Sequence, residues 1–135
     1  MASERVRIVV AEDDEQLAAL VEQLLDDDGR FEVVGRTADG DEVVRLVEHH
    51  APDLVLMDIG LPGQDGLAAT RAIHARDATR HVVIYTGSSD YGDVARSEEA
   101  GAVGYLHKDA LASPDLPDAL HVLHTNYVNR LPDEL

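Results

Sequence analysis

Five short apolar runs, each followed by a segment with apolar residues at helical spacing, set the strongest limit on what this chain can fold into. The runs are Val6 to Ala11, Phe31 to Gly35, Leu54 to Met57, His81 to Tyr85 and Ala102 to Leu106. Runs this short and this continuous suit strands buried on both faces. The first intervening stripe is Leu17, Leu20, Val21, Leu24 and Leu25, and the second is Val43, Val44 and Val47. The third is Leu67, Thr70 and Ile73, the fourth Val94, Ala95 and Ala100, and the last Leu116, Ala119, Leu120, Leu123 and Tyr127. All but the fourth recur every three or four positions, as an amphipathic helix requires, and the fourth is the weakest of the five. Strict alternation of strand and helix implies parallel pairing with right-handed crossovers. Five such units predict an α/β fold, a doubly wound five-stranded parallel sheet of order 2-1-3-4-5.

Local signals punctuate the units. Gly29 and Gly101 stand where helices end, Asp39-Gly40 and Asp65-Gly66 where helices begin, and Pro62-Gly63 in the loop after the third strand. Asp26-Asp27-Asp28 places three acids at the end of the first helix, where they oppose the macrodipole and favour fraying. The fourth helix contains Gly92 and few apolar residues, which predicts low local stability. Residues 1–127 form the expected domain, and 128–135 a tail or the start of a linker.

The 135 residues suffice for one domain with its own core. There is no cysteine, which removes disulfides and thiolate metal sites. The formal net charge of −16 opposes unaided binding to nucleic acid or an anionic membrane. No segment has the length of a membrane span and the N-terminus carries no secretion signal, so a cytoplasmic protein is expected. His49-His50 and the His121/His124 pair show no metal-ligand spacing and are expected on the surface.

In a sheet of this order, the carboxyl ends of strands one and three flank the crevice where ligands bind. The first run leads into Glu12-Asp13-Asp14-Glu15, and the third ends at Asp58. Glu12, Asp13 and Asp58 therefore converge, with Thr86 and Lys108 bordering the same crevice. Taken alone, Asp58 fits equally well as a cap for its loop. Three carboxylates together repel one another, and their pKa values rise unless a counter-ion is present. Oxygen ligands without sulfur suit Mg²⁺, with Mn²⁺ as an alternative. Asp14 replaces Asp13 as ligand if the strand ends one residue later; otherwise it is the N-cap of the first helix. A carboxylate nucleophile, a cation, a lysine and a hydroxyl donor make a phosphoryl-transfer site that forms an aspartyl phosphate.

At these residues the chain resembles the receiver domain of two-component response regulators, a flavodoxin-like (βα)5 fold. The resemblance spans Arg5 to about Tyr127. It rests on Glu12-Asp13, on Asp58 with Leu61-Pro62 and Asp65-Gly66 behind it, on Thr86-Gly87, and on Gly104-Tyr105-Leu106-His107-Lys108. The resemblance implies that Asp58 accepts a phosphoryl group from the phosphohistidine of a sensor histidine kinase. It implies that Glu12, Asp13, Asp58 and the Gly60 carbonyl hold Mg²⁺, and that Lys108 pairs with Asp58 and then with the phosphate. Thr86 and Tyr105 would be the switch residues, moving the surface of helix four, strand five and helix five. It further implies a signalling domain that catalyses its own phosphorylation and dephosphorylation rather than a conventional enzyme, with homodimerisation on phosphorylation as an option. Lys108 is followed by Asp109 where the family often has proline, so a cis bond there would be costly. Lys108-Asp109-Ala110 is similar to the subclass that carries a helix-turn-helix output domain.

Three rivals share parts of this pattern. A flavin carrier of the same fold needs a glycine- and hydroxyl-rich phosphate cradle after the first strand, where this chain has four acids. An aspartate-nucleophile phosphatase needs a second acid close behind Asp58, where Ile59-Gly60 offers none. A degenerate receiver used only for interaction would not need the complete site.

Overall fold

The computed structural model describes residues 5–87 and 91–134, with side chains described for 5–87 and 92–125. Its elements run β1 (Val6–Ala11), α1 (Glu15–Asp28), β2 (Phe31–Thr37), α2 (Gly40–His50), β3 (Leu54–Asp58), α3 (Gly66–Arg76), β4 (His81–Thr86), α4 (Tyr91–Ala100) and β5 (Gly104–His107). A 3-10 turn over Lys108–Ala112 then leads into α5 (Leu116–Glu134). The sheet has five strands, all paired in parallel, in the order β2-β1-β3-β4-β5. This is the predicted topology.

Strand alternation divides the apolar residues between two cores. Ile8, Val10, Leu54, Leu56, Val83 and Tyr85 face α1 and α5, where Val21, Leu25, Leu116 and Leu120 close the layer. Val9, Ala11, Val55, Met57, Val82 and Ile84 face the other side, against Val43, Val47, Ala69 and Ile73 of α2 and α3. Every residue of β3 and β4 is buried, which explains why these strands lack a polar alternation. The helix starts are capped as expected. Asp14, Asp39 and Asp65 each accept hydrogen bonds from backbone N–H groups of the first turn that follows.

Several element details differ from the sequence expectation. Leu20 is 38% exposed, and Ala18 takes the inward position with Val21 and Leu25. Helical spacing defines a stripe, but its centre depends on the sheet beneath. In α3 the buried set is Gly66, Ala69, Thr70 and Ile73, while Leu67 only flanks it. In α4 Ala95 is exposed, and the inner face instead carries Ser97 and Ala100. Ser97 satisfies its hydroxyl by donating to the Asp93 carbonyl at 2.7 Å. The predicted start of α4 at Asp90 lies outside the described residues.

β2 continues to Thr37, because a register shift between Ile8 and Val9 keeps it paired with β1 through Ala11. β5 begins at Gly104 rather than Ala102, since the Ala102 N–H is taken by the Ser97 carbonyl at the end of α4. α1 runs through Asp28 to a left-handed Gly29 at φ 88°. Fraying there is countered by Arg30, which grips Asp28 with Nε and Nη2 at 2.7 and 2.8 Å. α5 passes residue 127 without a break, and the Tyr127 side chain lies outside those described.

The C-terminal histidines are half-buried rather than fully exposed. Nδ1 of His124 lies 2.8 Å from Nδ1 of the buried His81, at the amino end of β4, and His121 packs edge-on against Phe31. No helix among the described residues is long and apolar enough to cross a membrane.

Candidate functional site

The carboxyl edge of the sheet carries the acids. β1 ends at Ala11, and the Glu12 N–H continues the ladder by donating to the Thr37 carbonyl at 3.0 Å. This turns Glu12 into the crevice beside β3, where its side chain is fully buried. Asp13 follows, exposed, and Asp14 turns away to cap α1 through Gln16 and Leu17. Asp58 is the last residue of β3 and only 6% exposed. One carboxylate oxygen from each of Glu12, Asp13 and Asp58 lies within 4.8 Å of the others. Asp14 is not part of this group, its Oδ1 being engaged by the helix start.

Lys108 opens the 3-10 turn directly after β5. Its Nζ stands 3.8 Å from Glu12 Oε2 and 4.0 Å from Asp58 Oδ2. The Gly60 N–H donates to Asp58 Oδ1 at 3.0 Å, so the loop after β3 folds back onto the carboxylate. Thr86, at the end of β4, is 5% exposed and pairs in register with His107. Tyr105 is half-buried on β5, opposite Ile84 and against the α2–α3 core. His107 Nδ1 accepts from the Asp109 N–H at 3.2 Å, and no cis peptide bond occurs among the described residues.

The electrostatics refine the sequence argument. Asp58 and Glu12 both have pKa values raised above the ordinary carboxylate range. For both, burial is the largest cause, and repulsion between the acids adds less. The Gly60 N–H and the Lys108 charge pull Asp58 back down. Hydrogen bonds from Tyr85 and from the Asp14 N–H do the same for Glu12. Desolvated carboxylates held together in this way favour a small divalent cation with oxygen preference. Glu12, Asp13 and Asp58 therefore fit Mg²⁺ or Mn²⁺ by donor type and proximity.

One participant was not foreseen from the sequence. The Tyr85 hydroxyl donates to Glu12 Oε1 at 2.5 Å and lies 3.2 Å from the Ala11 carbonyl oxygen. Burial first, then the Glu12 hydrogen bond, holds this phenol well above its ordinary pKa, so it remains a donor. The available signal was a tyrosine directly after the aliphatic run Val82-Val83-Ile84 in a buried strand, because a buried hydroxyl needs a partner.

The sequence matches the family described as response regulator receiver domain over residues 8–121. The chain belongs to that family. It is 37% identical over 111 residues to the transcriptional regulatory protein PdtaR of Mycobacterium tuberculosis, covering 82% of this chain and 53% of that protein. It is 31% identical over 114 residues to the chemotaxis protein CheY of Halobacterium salinarum, covering 84% of this chain and 92% of the relative. The chain thus spans about half the length of PdtaR. Among solved structures it resembles the signal receiver domain of a response regulator named NarL from Mycobacterium tuberculosis. That match has a TM-score of 0.85 at 28% identity, covering 90% of this chain and 98% of the other. The receiver fold and its place in two-component signalling follow from these matches together with the strand order.

Proposed function

We propose that this receiver domain is a phosphoacceptor: Asp58 takes a phosphoryl group from the phosphohistidine of a sensor histidine kinase, in a site completed by Mg²⁺. The observation that carries this reading is the grouping of Glu12, Asp13 and Asp58 oxygens within 4.8 Å, with Lys108 Nζ 4.0 Å from Asp58. A site used only for interaction would have no reason to bury two carboxylates beside a lysine.

Asp58 Oδ1 is held by the Gly60 N–H, which leaves Oδ2 on the Lys108 side as the attacking oxygen. A P–O bond forms to that oxygen, the P–N bond of the phosphohistidine breaks, and the departing imidazole takes up a proton. The Gly60 N–H first, and then the Lys108 charge, work against the burial that raises the Asp58 pKa and so favour the ionised carboxylate that attacks. Lys108 then stands beside the new phosphoryl oxygens. Mg²⁺, held by Glu12, Asp13, Asp58 and the Gly60 carbonyl, would neutralise charge on the phosphoryl group. Thr86 supplies a hydroxyl to a phosphoryl oxygen, and Tyr105 follows it inward. The change reaches a partner or output domain through α4, β5 and α5. Hydrolysis of the acyl phosphate by water resets the domain, and pairing of two phosphorylated copies uses the same surface. The expected absence of direct nucleic-acid binding by this chain rests on its charge of −16.

The test is intact mass after treatment with phosphoramidate or acetyl phosphate and Mg²⁺. One phosphoryl group is expected on the wild type and none on Asp58→Asn. An unmodified wild type, or modification that persists in the variant, overturns the reading.

A further inference from the structure

Tyr85 is the largest fully buried side chain among the described residues. Val83, two positions earlier in β4 and in the same core layer, shows that an aliphatic residue suits this side of the sheet. What distinguishes Tyr85 is the hydroxyl. It reaches across the sheet to Glu12 Oε1 at 2.5 Å. Glu12 Oε2 is held independently by the Asp14 N–H at 2.8 Å. Both oxygens of this carboxylate are therefore engaged, and the side chain is fixed in one orientation. The remaining lone pairs of Glu12 point where those two donors allow.

Tyr85 is also fastened at its backbone. Its carbonyl accepts from the Ile59 N–H at 3.0 Å, immediately after Asp58, and it pairs in register with Asp58 itself. One residue therefore touches the turn after β1, the loop after β3 and the strand that carries Thr86. We infer that Tyr85 is a positioning residue for the cation site, setting through Glu12 how tightly the acidic crevice binds Mg²⁺. This rests on the reading of the crevice as a Mg²⁺ site given above. Groups that orient metal-binding side chains from behind commonly change metal affinity when removed, although they never touch the ion.

Calorimetric titration with MgCl₂ tests this on wild type, Tyr85→Phe, Glu12→Gln and the double variant. Tyr85→Phe keeps the ring and removes only the hydroxyl. Affinity for Mg²⁺ is expected to fall about ten-fold or more in the wild-type background. In the Glu12→Gln background the same change is expected to alter affinity by less than about two-fold, since the pathway through Glu12 is already gone. Wild-type affinity in Tyr85→Phe overturns the inference, and so does an equal loss in both backgrounds. A wild type that binds no Mg²⁺ overturns the Mg²⁺ reading itself, an outcome distinct from either.

If Tyr85→Phe does not fold, 3-fluorotyrosine-labelled wild type supplies the second readout. The Tyr85 fluorine signal is assigned by replacing Tyr91, Tyr105 and Tyr127 with phenylalanine. It is expected to move on Mg²⁺ addition in wild type and to stay in Glu12→Gln. A signal unmoved in wild type, or moved equally in both, overturns the inference.

Discussion

Lys108 and Asp58 form a long ion pair: Nζ to Oδ2 is 4.0 Å, with the lysine side chain 36% and the aspartate side chain 9% exposed. A pair of this length, open to solvent on one side, contributes little to stability. Lys108→Ala is accordingly expected to change unfolding free energy by less than about 1 kcal/mol in urea titration. Phosphorylation of Asp58 by phosphoramidate should slow by about ten-fold or more, because charge stabilisation during transfer is lost. A time course followed by intact mass checks the rate. A variant modified at the wild-type rate would remove Lys108 from the transfer.

Metal dependence should appear in stability as well. Glu12 and Asp58 have folded-state pKa values raised by burial, so the folded chain binds protons that the unfolded chain has released. Their contribution to stability therefore falls as pH rises from the ordinary carboxylate range through the raised folded values. Above the raised folded values the penalty is present in full unless a cation is bound. Mg²⁺ at about ten times its dissociation constant adds roughly 1.4 kcal/mol, enough to raise Tm by several degrees. Asp58→Asn should melt higher than wild type in EDTA and gain less from Mg²⁺. Scans at constant ionic strength separate binding from screening, which alone stabilises a chain of charge −16. An equal Mg²⁺ gain in both proteins would count against the crevice.

The His81–His124 contact predicts acid sensitivity far from the acids. Burial first, then the facing His124 and His74, lowers His81 to about 4, while Asp53 opposes the shift. His124 is lowered too, by burial first, with Asp53 opposing and His121 adding. A histidine kept neutral in the fold but protonated in the unfolded chain supports stability above pH 6.5. That support is lost progressively as pH falls from 6.5 toward about 4. For His81 the loss amounts to about 3 kcal/mol at most. Urea midpoints between pH 7 and 4.5 should fall more steeply for wild type than for His81→Phe. Parallel pH profiles would show that the pair does not carry the effect.

α4 should be the softest described helix of the domain. Among its described side chains only Ser97 and Ala100 are buried, and Gly92 lies in its first turn. Amides of 92–100 are expected to exchange with solvent faster than those of Val21 to Leu25 in α1, and their protection to change after phosphorylation. Equal protection in the two helices of the free protein would sink this expectation.

Much of this was readable from the chain because its signals are local. The apolar runs of β3 and β4, the aspartate caps at Asp14, Asp39 and Asp65, and the left-handed stop at Gly29 each need only a few neighbouring residues to be recognised. Strand order followed from alternation and handedness, and it placed Glu12, Asp13 and Asp58 at one edge. Harder to read was whatever depends on residues distant in sequence. Tyr85 meets Glu12 across 73 positions, and His81 meets His124 across 43, so neither partner was visible from its own surroundings. Leu20 was misplaced because spacing gives a period and not a phase. The acidity shifts were assigned to repulsion, whereas depth in the fold, which a sequence does not display, is the larger cause.

The start of α3 has a consequence for how the domain can signal. A β-carbon on Gly66 would lie 2.3 Å from the Asp58 carbonyl oxygen, and one on Gly40 would lie 1.5 Å from the Gln64 carbonyl oxygen. The loop behind Asp58 is thus wedged between two helix starts with no room for even a methyl group. On that flank the backbone around Asp58 is packed backbone to backbone. Across the sheet, β5 is short and α4 thinly packed. The architecture is lopsided, a rigid anvil on one flank and a compliant one opposite, and under the proposed function a signal from phosphorylated Asp58 would leave toward the side that can deform.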